Sequence, residues 1–369
     1  MPSWLAFNSA TRTFSGTPGE YDIGTFAIHV AATDQAGAQA ADEFNLSVTL
    51  LPGVTLTGGS GPDTLTGSPG ADTISGLAGA DKLYGNEGQD LLFGGDGADQ
   101  LFGWTGNDYL SGGLGNDQLS GEDGNDIAQG GSGADNLLGQ AGNDLLDGGI
   151  SGDTLDGGDG NDFLAAGAGA DTIKPGAGQD VIAFNRGDGS DTVNFSTGQD
   201  NTLSLGGGII YSDLALSKTN KNLIVEVGNG EKITLKNWYA STSNHSVLNL
   251  QVITDAATDY DPNSSDPLLN KRVNDFNFTA LVDQFDKART ANTNLDHWSM
   301  MNSLLDAHLA GSDTEALGGD LAYQYSKNGT LAGIGLGAAQ DVLNSPQFGA
   351  QAQTLRPLAT LQEGAVKLS

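Results

Sequence analysis

The chain of 369 residues contains no cysteine, which excludes a disulfide framework and any thiolate metal site. Cysteine-free chains suit export, although this alone leaves the redox compartment open. Cationic side chains are scarce: 15 Lys plus Arg stand against 46 Asp plus Glu, for a formal net charge of -31. Such a balance argues against nucleic acid or an anionic membrane as partner and for cations. No apolar run approaches the roughly 18 residues needed to span a bilayer. The opening MPSWLAFNSATRTF lacks the basic and apolar regions of a signal peptide, so any export address is expected elsewhere. The metalloprotease pattern H-E-x-x-H, the nucleophile elbow G-x-S-x-G and the phosphate loop G-x-x-x-x-G-K-[ST] are all missing. Hydrophobic residues make up 37%, low but enough for real cores.

Glycine is what the chain has in excess, 56 residues of it, concentrated in one periodic stretch. Aspartates recur at an unbroken spacing of nine: Asp63, Asp72, Asp81, Asp90, Asp99, Asp108, Asp117, Asp126, Asp135, Asp144, Asp153, Asp162, Asp171 and Asp180. Two residues after each stands an apolar side chain, mostly Leu or Ile, with Ala128 the small exception. Two residues before stand Gly61, Gly70, Gly79, Gly88, Gly97, Gly106, Gly115, Gly124, Gly133, Gly142, Gly160 and Gly169, with Gly178 after them and Ser151 the single exception. Five residues before each Asp comes another glycine, replaced only by Ala166 and Pro175.

A glycine-rich turn followed by a short strand with a central apolar residue reads as one unit of a solenoid, two units to a coil. Stacked coils place the aspartates of alternate units one above another. At a strand spacing of about 4.8 Å and an effective dielectric of about 20, each neighbouring pair repels by roughly 3 to 4 kcal/mol. The bare column is therefore not expected to close. Hard divalent cations held by the carboxylates and by inward-turned carbonyls reverse the sign, and calcium fits best because it accepts six to eight oxygens in flexible geometry. A low-complexity Gly/Asp linker has no reason to keep Leu at a fixed phase. With each ion shared between alternate units, fourteen units offer at most 12 sites.

These residues resemble the nonapeptide of the RTX (repeats-in-toxin, haemolysin-type calcium-binding) family over about residues 58–191. The resemblance implies a parallel β-roll, unfolded where calcium is scarce and folded in external calcium. Asp188 and Asp191 in FNRGDGSDTV fall out of phase, as a final turn would. Ala166 and Pro175 are expected to make the last turns less regular and poorer in ions.

The fold class expected is mainly β: a partial immunoglobulin/cadherin-like sandwich at 1–52, the roll at 58–191, a β-rich cap at 192–255, a linker at 256–270 and a small helical region at 271–369. Residues 2–5, PSWL, with FSGTP and ATDQAG, are similar to a dystroglycan-type cadherin-like domain, of which about 50 residues are half. Turns are expected at 16–19 and 35–37, and Asp34 reads as a solvent-facing turn residue. The stretch from 201 to 239 resembles the β-rich domain that follows haemolysin-type repeats, with a hairpin at Asn229-Gly230. His245 there lacks a catalytic partner in the sequence.

Phe278, Leu281, Val282 and Phe285 read as one helix and Trp298, Met301, Leu305 and Leu309 as a second, ended by Gly311. His297 and His308 read as ordinary surface or boundary residues. The last 42 residues carry only Asp341, Arg356, Glu363 and Lys367 as charges. Behind RTX repeats, that stretch resembles the uncleaved signal read by type I secretion machinery. The whole reads as a secreted, calcium-binding, non-enzymatic region, the C-terminal part of a large cell-surface or biofilm-associated adhesin with a cell-surface or matrix ligand. The alternative is the secretion and folding tail of an exported hydrolase or toxin whose catalytic domain lies upstream.

Overall fold

The computed structural model describes residues 2–18, 22, 24–49, 51–196, 200–255 and 260–369. From the first repeats onward each nonapeptide supplies one strand, and strands pair in parallel with those two repeats away. Leu101 lies between Leu83 and Leu119, and Leu110 lies between Leu92 and Ala128. Two repeats thus make one coil, and alternate repeats build two facing sheets of 12 strands each, counting those added beyond the array. Strand side chains alternate in direction, so the residue two after each Asp points into the roll. From Ile74 to Leu164 this column is fully buried.

The sheets do not stop where the period stops. Ser190–Val193 pairs in parallel with Lys232–Leu235, and Val181–Asn185 with Asn201–Gly206, which pairs in turn with Val247–Ile253. Antiparallel strands then extend both edges: Asn222–Val227 hairpins with Lys232–Leu235 across Asn229 and Gly230, both at positive φ, as their sequence requires. One apolar core runs from the Leu column through Leu203, Val225, Trp238 and Phe276 into helix α1, Phe278–Ala291, whose Phe278, Leu281, Val282 and Phe285 close the end of the roll. The Asn277 side chain caps α1 by accepting from Ala280 N–H.

The second helix expected through Trp298, Met301, Leu305 and Leu309 does not form. His297–Ser299 pairs with Leu214–Thr219, α2 is a single turn at Leu304–Ala307, and His308–Ser312, including Gly311, pairs with Val273–Asn277. Met301, Leu305 and Leu309 are exposed. Two open sheet edges needed hydrogen-bond partners, and satisfying them outweighed a weak helical pattern.

A second core lies on the outer face of one sheet. Tyr109, Ile127, Leu145, Phe163 and Val181, one from each successive coil, are covered by α3 (Gly319–Asn328), α4 (Leu336–Leu343), Phe348 and Leu368. The last 42 residues supply much of that cover, because those side chains would otherwise face water.

At the N-terminus, Gly24–Thr33 and Gln39–Val48 form a ten-residue antiparallel hairpin, and Ala6–Asn8 pairs with Thr13–Ser15. Asp34 is exposed and accepts from the N–H groups of Ala36 and Ala38 at 2.9 and 2.8 Å, which makes it a turn residue. Gly19 of the turn expected at 16–19, and residues 256–259 of the expected linker, lie outside the described residues.

Candidate metal centre

Stacking at an 18-residue interval puts the aspartates into two ladders, one along each turn edge of the roll. In each ladder the Oδ1 of one Asp accepts the backbone N–H of the Asp 18 residues earlier: Asp81 donates to Asp99, and Asp99 to Asp117, both at 2.8 Å. From Asp72 to Asp180 these side chains are 3% exposed or less. Their second oxygen is different. Oδ2 of Asp81, Asp90 and Asp99, and of every ninth residue from Asp117 to Asp180, is buried without a hydrogen-bond partner. A buried carboxylate oxygen left bare costs several kcal/mol, so its repetition around the roll marks a binding feature.

What faces Oδ2 follows from the glycine five residues before each Asp. A Cβ built on Gly94 would lie 2.5 Å from Asp99 Oδ2 and 2.6 Å from the carbonyl oxygen of Gly112 in the next coil. On Gly112 it would lie 2.5 Å from Asp117 Oδ2 and 2.7 Å from Gly130 O. The space left by the missing side chain is therefore a cradle with a carboxylate oxygen and a backbone carbonyl converging on it. Both donors are hard oxygens, the set calcium accepts.

The glycines two residues before each Asp do something else. Gly97 has φ 144°, and a Cβ there would overlap the Gly79 carbonyl. From Gly79 to Gly160, those at this position adopt positive φ and stack carbonyl against Cα, a requirement of close coil approach. Sequence reasoning named them as site residues and left out the glycines five before Asp. The same nine-residue period carried that signal.

Burial dominates the electrostatics. It pushes the carboxyls of Asp90, Asp117, Asp126, Asp153 and Asp180 up to about 7 from 3.8, against the pull of the backbone N–H each accepts. Asp144 and Asp162 are raised well above the ordinary carboxylate range by burial, then by their neighbours in the ladder.

The matching family model is that of the RTX calcium-binding nonapeptide repeat, in four copies at residues 57–92, 84–119, 120–155 and 147–182. These repeats are RTX repeats. They bind calcium, and proteins that carry them are typically exported. The RTX solenoid is a structural calcium-binding fold rather than a catalytic one. Residues 1–49 match a family model for an Ig domain. No curated protein matches the chain. No helix among the described residues is long and apolar enough to cross a membrane.

The ends of the RTX ladders depart from the repeat. Oδ2 of Asp63 and of Asp72 accepts the N–H of Gly59 and of Ser68, both at 2.6 Å, so neither is bare. At the other end Asp191 Oδ1 accepts from Asp171 N–H at 3.0 Å and Asn201 Oδ1 from Asp180 N–H at 2.9 Å. Asp191, out of phase in sequence, therefore sits in the ladder: the loop before it absorbs two extra residues. Asn201, missed by sequence reasoning, ends the other ladder with a neutral side chain. Ala166 and Pro175 keep their carbonyls in the column, facing Gly148 and Gly157.

The remaining candidates are structural. His245 stacks on Trp238 at 4.3 Å and its Nε2 lies 3.1 Å from the Trp238 carbonyl. His297 is exposed beside Glu226 at 2.9 Å, and His308 contacts Asn274 Oδ1 at 3.1 Å. Among the described residues no three His, Cys, Asp or Glu side chains cluster as a metal site. Each RTX cradle presents a single carboxylate oxygen beside a backbone carbonyl, so it does not form such a cluster.

Proposed function

We propose that this chain is the non-enzymatic, calcium-binding C-terminal part of a secreted adhesin, exported by a type I system and folded outside by calcium. The observation that carries it is the row of bare Asp Oδ2 atoms facing carbonyls of the next coil. The in-phase aspartates and the carbonyls of the residues five before them hold the ions; the glycines two before each Asp set the coil spacing. Asp63 and Asp72 have their second oxygen taken by backbone N–H, which reduces the ceiling of 12 to about ten ions. Adhesion is supported by the Ig-like N-terminus.

Co-expression with a type I exporter tests the export reading. The intact chain should appear in the medium, and deleting residues 328–369 should stop it. Export of the shortened chain at the full rate would place the signal elsewhere. Binding of the purified protein to host or biofilm matrix favours the adhesin, whereas a catalytic domain encoded upstream of these residues favours the tail of an exported hydrolase or toxin.

A further inference from the structure

The polar seam between the RTX roll and the C-terminal segment has a periodicity of its own. Asn107, Asn125, Asn143 and Asn161 form a third ladder, in which Asn107 Oδ1 accepts from Asn125 N–H, Asn125 Oδ1 from Asn143 N–H and Asn143 Oδ1 from Asn161 N–H, at 2.7 to 2.9 Å. With the oxygens used inside the roll, the amide Nδ2 groups point outward at one per coil. They meet the C-terminal segment: Asn125 Nδ2 donates to Asn344 Oδ1 at 2.7 Å, Asn143 to the Leu343 carbonyl at 2.9 Å and Asn161 to the Phe348 carbonyl at 2.8 Å. Gln340 Nε2 returns a bond to the Asn125 carbonyl at 2.9 Å. Beside the ladder runs the apolar stripe Tyr109, Ile127, Leu145, Phe163 and Val181. At its far end Gln129 Oε1 accepts from Ser369 N–H at 2.9 Å.

No single repeat offers this surface. Each donor and each apolar side chain comes from a different coil, so the docking site exists only when the coils are stacked. We propose that residues 330–369 are a calcium-dependent latch, docked on the asparagine ladder and apolar stripe of the stacked roll and released when the coils separate. Coupling is reciprocal: a segment that binds only the stacked state also favours the stacked, calcium-loaded state. The consequence for export rests on the type I reading. The same residues are open to an exporter before calcium is met and masked once the roll has folded.

The absence of native cysteine makes the test direct. Ala339 is fully buried on α4, and Ala339→Cys gives the full chain its only thiol. Modification of that thiol should be slow in millimolar calcium and fast in chelator. Asn125→Asp, Asn143→Asp and Asn161→Asp together keep every ladder acceptor and remove the three shorter of four outward donors, Asn107 Nδ2 lying 3.4 Å from Asn344 Oδ1. Three ordinary hydrogen bonds are worth roughly a hundredfold in an opening equilibrium, and the thiol should react faster in calcium by that order while the β signal and bound calcium persist. Phe348→Ala, which alters no repeat residue, should also expose the thiol and shift the calcium midpoint upward. Should it instead prevent folding in calcium, the coupling of latch to stacking is shown even more strongly. A thiol as protected in chelator as in calcium overturns the proposal, as does one whose reactivity in calcium is unchanged in both variants. Neither readout involves secretion, so loss of the export reading would leave the latch standing, and the reverse.

Discussion

Withdrawing calcium at neutral pH should unfold the roll, and the buried carboxylates set the scale. Asp126 and Asp180 are fully buried, and their carboxyls are raised from 3.8 to about 7. Holding each ionised above that pH costs about three pKa units, or about 4 kcal/mol. Two such groups cost about 8 kcal/mol, comparable to the 5–15 kcal/mol that stabilises an ordinary domain, and the ladders hold more of them. If each site has a Kd of about 10⁻⁴ M, millimolar calcium contributes about 1.4 kcal/mol per site, or roughly 14 kcal/mol over ten. The pH sign follows from the raised values: the folded state binds more protons than the unfolded, so metal-free stability is fully present below 3.8 and lost as pH rises through about 7. Far-ultraviolet circular dichroism with small-angle scattering is the assay. In chelator the protein should be expanded at pH 7.5 and regain β signal toward pH 4. Calcium should compact it cooperatively at pH 7.5, with a midpoint that rises as pH falls. Full β content in chelator at pH 7.5, unchanged by acid, would refute the argument.

Asp117→Ala should lower calcium stoichiometry and raise the folding midpoint, whereas Asp96→Ala, exposed and off the series, should change neither by isothermal titration calorimetry. Asp147 does not serve as that control: it lies under the C-terminal segment beside Gln129, and burial raises its carboxyl to about 6. Gly112→Ala places a methyl between Asp117 Oδ2 and the Gly130 carbonyl and should remove about one ion, read by the same titration. Phe163→Ala should lower stability in calcium by about 3 to 5 kcal/mol, measured by denaturant unfolding, because its ring packs against Tyr325. His297→Ala, an exposed partner of Glu226, should stay within about 0.5 kcal/mol by the same measurement.

The solenoid was legible because its physics is local and repeated. The nine-residue period states the coil length, the Leu phase states which side is inside, and the Asp column states a charge that needs a cation. The glycine five before each Asp was as visible as the one two before it. Which of them opens a cradle toward Oδ2 depends on how far one coil lies above the next, and only stacking fixes that distance. The covered face was also written in the sequence, one position after each Asp: Leu91, Tyr109, Ile127, Leu145, Phe163 and Val181 alternate with Lys82, Gln100, Gln118, Asn136, Thr154 and Thr172. That pattern has a period of 18, so it becomes a stripe only once alternate repeats are assigned to opposite sheets. What lies on the stripe was decided by tertiary structure alone, as was the fate of residues 297–312. A helical rhythm is a preference of about a kcal/mol, and an unpaired sheet edge beside it offers a ladder of hydrogen bonds. Asp191 and Asn201 close the Asp ladders from outside the period, because a longer loop costs little entropy once its ends are held by the sheets on either side.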